Sequence, residues 1–339
     1  MQIPQKFKES YLFEEKVIAK KAVLHSILNI DTIVFDIDGV LIDVHASFRI
    51  AVCLTVQCYF KEVLKYNGSE ELILPDEIKY FKMAGGFNND WDLTSAVILH
   101  YLTKAAKYKT KDLGILRKQK LDLETYCYEI LPSGGGLTKC VELIRQDHDV
   151  EEEILSQWNE KLVIQLFKEI YAGVEHCFDI YHFNPSIIKT SGLCEKEKII
   201  LDENLNSFLK NYSIGILTGR CNAEAKMALE NLKLNDLLTE NQVMTAEKVT
   251  GKPHPEGLIK LSSILKTGLG LYIGDILDDL QTAKNYNKEN KKSGFLSALV
   301  LGGELNEKEL LVLTYMDKGV DLLAKDVNEL LYWMANKAK

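Results

Sequence analysis

Thr32-Ile33-Val34-Phe35-Asp36-Ile37-Asp38-Gly39 is the stretch that decides the fold. A run of β-branched and aromatic residues favours a buried strand. The two carboxylates one residue apart, followed at once by glycine, then fall on the tight turn that ends it. Taken alone, such a tract is an ordinary strand-ending loop. Its meaning changes because three more polar tips follow. Ser213-Ile214-Gly215-Ile216-Leu217 is a second apolar run, ending in Thr218-Gly219-Arg220. Gly251-Lys252-Pro253-His254-Pro255 sets a lysine before a proline-stiffened turn. Leu269 to Ile273 is a third apolar run, ending in Gly274-Asp275-Ile276-Leu277-Asp278-Asp279. Carboxylates, a hydroxyl and a lysine on separate strand ends are the parts of a metal-assisted nucleophilic site.

In this combination the chain resembles the haloacid dehalogenase (HAD) superfamily of phosphotransferases. Its four motifs are a strand ending D-x-D, a strand ending in Thr or Ser, a Lys, and an acidic G-D-x-x-x-D tract. The matching residues are Asp36 and Asp38, Thr218, Lys252, and Asp275 with Asp279, over roughly residues 30–44 and 195–305. The resemblance implies Asp36 as nucleophile, forming an aspartyl-phosphate, and Asp38 as general acid and then base. Thr218 and the Gly219 amide would hold phosphoryl oxygens, and Lys252 would neutralise them. Magnesium would be bound by Asp36, the backbone carbonyl of Asp38, Asp275 and, through water, Asp279. Ile276 departs from the Ser or Thr often found there, which removes a hydrogen bond but no ligand. Superfamily members that cleave carbon–halogen bonds lack an acid at the place of Asp38, so its presence favours phosphate esters. The expected activity is magnesium-dependent hydrolysis of the phosphate monoester of a small metabolite. The alternatives are a phosphomutase of the same superfamily and a non-catalytic HAD-fold binding or regulatory protein.

The chain has 339 residues, 46% hydrophobic and 27% charged, an ordinary globular mixture whose length suggests two domains. Its 41 Lys and Arg against 49 Asp and Glu give a net charge of −8, which argues against a nucleic-acid or anionic-membrane surface. The first ten residues have no apolar signal core, and no stretch approaches a membrane span, so a cytoplasmic enzyme is expected. The cysteines Cys53, Cys58, Cys127, Cys140, Cys177, Cys194 and Cys221 are odd in number and contain no C-x-x-C pair, and read as buried reduced thiols. Oligomeric state is not legible.

Asp38 and Thr218 stand 180 residues apart, far more than a crossover helix needs, so a domain-sized insert separates the first two core strands. Apolar spacing within it predicts helices over 49–66, 94–107, 113–130, 137–145 and 152–171. After it, strand and helix alternate, with a helix expected over 199–210. The fold class is therefore α/β: a three-layer, Rossmann-like HAD core with a parallel sheet, plus an inserted all-helical cap of the C1 type. The domains read as an N-terminal helical extension (1–29), the core (30–44 and 191–339) and the cap (45–190).

Substrate choice is expected in the cap. Ala84-Gly85-Gly86-Phe87-Asn88-Asn89-Asp90-Trp91-Asp92-Leu93-Thr94 sets amides and carboxylates beside an aromatic, either a capped helix start or a recognition surface. Asn88, Asn89, Asp90 and Trp91 are the candidates, with Arg49 as a clamp for a second anionic group or a surface residue. These stretches, with Glu169-Ile170-Tyr171-Ala172-Gly173 and Thr218-Gly219-Arg220, resemble a branch of HAD subfamily IA phosphatases without a firm substrate. Ser133-Gly134-Gly135-Gly136 lacks the spacing of a phosphate loop and reads as a turn opening a helix. Asp278 reads as a helix N-terminal carboxylate, and Arg220 as a partner of Glu224 one helical turn on.

Overall fold

The computed structural model describes residues 3–337 apart from 88, 132–134, 233, 235, 236 and 304. In chain order its strands are β1 (Tyr11–Phe13), β2 (Val17–Lys20), β3 (Thr32–Phe35), β4 (Ile42–Asp43) and β5 (Lys198–Ile199). They continue with β6 (Ser213–Leu217), β7 (Val243–Met244), β8 (Leu269–Gly274), β9 (Gly294–Val300) and β10 (Leu322–Ala324). The main sheet runs β1-β2-β10-β9-β8-β3-β6-β7. From β10 to β7 every pairing is parallel. All four residues of β3 are buried, as a strand covered on both faces requires. Because β6 and β8 flank β3, the residues following these three strands emerge at one edge of the sheet.

The chain divides into two compact units, residues 1–43 with 198–339, and residues 44–197. In the first, β4 and β5 pair antiparallel, so the segments leading into and out of the insert lie side by side.

The expected helix over the N-terminal extension is replaced by other structure. A six-residue helix, Gln5–Ser10, leads into β1 and β2, which pair with each other and extend the sheet antiparallel to β10; a 3-10 segment, Lys21–Asn29, follows. Val17, Ile18 and Ala19 are almost fully buried there, and pairing with β10 outweighs a helical composition. The helix expected over 199–210 also shrinks, to a 3-10 turn and the four residues Asn206–Leu209.

The second unit is helical. Its central helix, Asp90–Tyr108, buries nearly every residue from Leu93 to Ala106. The helix expected over 113–130 is two, Leu113–Lys118 and Leu123–Ile130. Leu121 between them has φ +64°, Asp122 caps the second helix, and Lys104 Nζ donates to the carbonyls of Gln119 and Leu121. Likewise 152–171 is two helices, Glu151–Gln157 and Glu160–Tyr181, the second capped by Asn159. Inside it Gly173 has φ +65°, and a Cβ there would lie 2.0 Å from the Gly192 nitrogen, so this kink requires glycine. Glu169, four residues earlier, accepts from the amides of Ser186, Ile187 and Ile188, so this late motif of the insert holds a loop in place. Gly136 opens the helix Gly136–Gln146, while Ser133 and Gly134 lie outside the described residues. All seven cysteines are free; Cys53, Cys58 and Cys221 are only half-buried, where full burial was expected.

Candidate active site

The turn after β3 carries the first two carboxylates. The Asp36 amide donates to the Ile273 carbonyl on β8, and its Oδ1 accepts from the Ile37 amide at 2.8 Å. The chain then closes tightly, with the Leu41 and Ile42 amides both donating to the Ile37 carbonyl. Gly39 makes this possible: its φ is +74°, and a Cβ would lie 2.4 Å from Asp275 Oδ2. Any side chain at that position would push into the acidic tip of β8.

Asp36, Asp275 and Asp279 each offer a carboxylate oxygen within 4.8 Å of the others. Lys252, in the turn after β7, inserts its ammonium 2.9 Å from Asp36 Oδ2 and 2.7 Å from Asp279 Oδ1. Asp279 is only 1% exposed, and its bonds explain why it lies at the start of the helix Leu277–Glu289. Oδ2 accepts from the Asp275 and Ile276 amides, while Oδ1 accepts from Lys252 and from the Tyr272 hydroxyl. The Tyr315 hydroxyl donates to the Asp275 carbonyl at 3.1 Å, bracing the same turn from the helix Glu309–Asp317.

The electrostatics follow from this crowding. Burial pushes Asp36 up to about 7; Lys252 opposes the shift, and the Asp279 and Asp38 carboxylates add to it. Burial disfavours the Lys252 ammonium, but Asp279 and Asp36 together hold it well above its ordinary value. Burial, then Asp279, push Tyr272 well above the ordinary phenol range, so it remains a donor. With all three carboxylates ionised, one ammonium leaves an excess of two negative charges, which a divalent cation would offset. Hard oxygen donors in this number suit magnesium.

Thr218 follows β6, is 3% exposed and has its amide bonded to the Met244 carbonyl; its hydroxyl accepts from the Arg220 amide, while Gly219 between them is exposed. Arg220 reaches Asp38, with Nε donating to Oδ1 at 2.8 Å. The expected neighbour, Glu224, accepts from the Cys221 amide.

The structure thus brings Asp36, Asp38, Thr218, Lys252, Asp275 and Asp279 to one end of the sheet. Arg49, Asn89, Asp90 and Trp91 belong to the helical unit, and Asn88 lies outside the described residues. The Asn89 side chain caps the helix Asp90–Tyr108 by accepting from the Asp92 amide at 2.7 Å. Trp91 packs edge-on against Phe167. Arg49 is half-exposed and forms no ion pair with a described residue. Sequence reasoning missed Tyr272, Tyr315 and the Arg220–Asp38 pair. Only the position of Tyr272, two residues before the acidic turn on a strand, hinted at a role.

A parallel α/β sheet with a carboxylate cluster, a buried lysine and a hydroxyl at one end, interrupted by a helical insert, defines a class of hydrolase. The sequence model of the haloacid dehalogenase-like hydrolase family matches residues 30–287, and the chain belongs to that family. Among solved structures it is similar to phosphatase Tt82 from Thermococcus thioreducens, at 24% identity, covering 89% of this chain and 97% of that one, with a TM-score of 0.57. It is also similar to a hydrolase from Pseudomonas syringae, at 15% identity, covering 91% and 100%, with a TM-score of 0.43. At 24% identity the likeness to the Thermococcus phosphatase is one of fold. No curated protein matches the chain. No described helix is long and apolar enough to cross a membrane.

Proposed function

We propose that the protein is a magnesium-dependent phosphatase that hydrolyses the phosphate monoester of a small metabolite through an aspartyl-phosphate on Asp36. The observation that carries this reading is the convergence of Asp36, Asp275, Asp279 and Lys252 at the strand ends, with Asp38 two residues beyond the nucleophile. Asp36 attacks phosphorus, and the bond to the alcohol oxygen breaks as Asp38 gives that oxygen a proton. Water then attacks the same phosphorus after losing a proton to Asp38, which frees Asp36 and inorganic phosphate. The Thr218 hydroxyl and the Gly219 amide hold phosphoryl oxygens, and Lys252 offsets their charge while keeping Asp36 in place. Asp36, the Asp38 carbonyl and Asp275, with Asp279 through water, would hold the cation, which would supply positive charge to offset that of the nucleophile and the phosphoryl group.

Specificity rests with the helical insert, because the core residues grip only the phosphoryl group that all candidate substrates share. Arg49 is the leading candidate for a second anionic group of the substrate, since the Asn89 side chain already caps a helix. Asp90 and Trp91, with Asn88 beside them, are the next candidates.

The test is release of inorganic phosphate from a panel of phosphorylated sugars, polyols, hydroxy acids and nucleotides, with magnesium and with excess chelator. Activity that chelation removes and magnesium restores is expected, and Asp275→Asn should raise the magnesium concentration needed by about 10-fold or more, since a ligand charge is lost. Full activity in chelator contradicts the reading. Isomer formation in place of phosphate release identifies a mutase.

A further inference from the structure

The reaction above leaves unused the residue that holds Asp38. The Arg220 side chain is 1% exposed, and Nε and Nη2 lie 2.8 and 2.7 Å from one atom, Asp38 Oδ1. No described residue donates to Asp38 Oδ2, and the Asp38 side chain remains 31% exposed. Arg220 is fixed at its backbone as well: its amide donates to Thr218 Oγ1, and its carbonyl accepts from the Ala246 amide. The guanidinium is therefore anchored to the turn that carries Thr218, and it restrains Asp38 from a different strand.

We propose that Arg220 is a positioning residue that selects which oxygen of Asp38 moves the proton. An oxygen already facing two charged donors is a poor place for a proton, whereas Oδ2 keeps its lone pairs and its access. Holding Oδ1 also removes the rotation by which a carboxylate on a turn would present either oxygen. The proton passed to the departing alcohol therefore sits on Oδ2, in one orientation set by the Thr218 turn. This inference rests on the phosphatase reading of Asp38.

The test uses the full chain with magnesium and a series of phosphate monoesters, from nitrophenyl phosphate to simple alkyl phosphates. The value of kcat/KM covers the steps up to alcohol release, so its dependence on the leaving group reports proton delivery. Nitrophenolate leaves without a proton and an alkoxide does not. Arg220→Met should therefore lose roughly 100-fold on alkyl esters, within the range for general acid catalysis, but less than about 10-fold on nitrophenyl phosphate. Arg220→Lys keeps the charge without the two-nitrogen contact, and should give an intermediate leaving-group dependence even if the methionine variant does not fold. Equal losses across the series, a change confined to KM, or a lysine variant with wild-type rates throughout would overturn the proposal while leaving the phosphatase reading intact. A wild-type protein that releases phosphate from none of the esters would overturn both.

Discussion

Both units of the molecule bury charged side chains, but they do so in opposite ways. In the sheet unit Asp36, Asp275 and Asp279 converge, and burial pushes Asp36 upward although Lys252 is only 2.9 Å away. In the helical unit Glu169 meets neutral donors among the described residues. Burial works against its ionised form, but the amides of Ile188, Ser186 and Ile187 and the Gln165 side chain hold it below the usual carboxylate range. Bringing like charges together under cover works against stability, and such an arrangement is what chemistry at a site calls for. Surrounding one carboxylate with neutral amide donors holds a loop in place. A buried charge is informative through its company.

Substitutions in the two units test this contrast. The largest effect belongs to Asp36→Asn, which keeps shape and removes the proposed nucleophile. Turnover should fall by several powers of ten while the circular dichroism spectrum is unchanged. Retention of more than about a hundredth of the wild-type rate would place chemistry elsewhere.

Glu169→Gln is the matching change in the helical unit. It turns an acceptor into an NH2 group facing backbone N–H donors, so denaturant unfolding should show a loss of about 3 kcal/mol, with kcat of the folded protein nearly unchanged. A large fall in kcat without loss of stability would erase the distinction between the two units.

His100 offers a test by pH. Burial lowers its pKa to about 3, and neighbouring Lys104 adds to the shift. The folded protein keeps the imidazole neutral, whereas the unfolded chain takes up a proton at the ordinary value of 6.5. Its contribution to stability is thus whole above pH 6.5 and is lost as pH falls from there toward 3, by up to about 1.4 kcal/mol per pH unit. Glu169, held below its unfolded value, also loses its contribution with acid, but through the carboxylate range. His100→Phe should flatten the slope nearest pH 6, and an unchanged slope would show that other groups produce it.

The smallest effect is that of Asn89→Ala, which removes a helix cap and should cost about 1 kcal/mol of stability. A tenfold fall in kcat/KM for the best substrate, with none for nitrophenyl phosphate, would instead return Asn89 to substrate recognition.

The core was legible because short-range signals and long-range roles coincide there. A β-branched run ending in carboxylates announces both strand and candidate site at Asp36, and the turns at Thr218, Lys252 and Asp275 repeat the pattern. Arg220 was not legible in this sense. Its contact with Asp38 spans 182 residues of sequence, and only the parallel pairing of β3 with β6 brings the two together. The N-terminal hairpin escaped for a related reason: Val17–Lys20 is a strand because β10, near the other end of the chain, offers it an edge. The breaks at 119–122 and 158–159 depend on cap and lysine contacts that an apolar period does not contain. In the same way Asn89 has one amide that suits both a cap and a binding surface, and only geometry tells which bond it makes.

The covalent role of Asp36 is tested most directly by rapid acid quench of the enzyme during turnover of its best substrate with magnesium, followed by mass spectrometry of the peptide containing residue 36. A phosphoryl adduct on Asp36 that appears within the first turnover, decays as substrate is exhausted and is absent in Asp36→Asn is the predicted result. Sustained phosphate release, with Asp36 unmodified at every quench time and the adduct found on another residue, would contradict it.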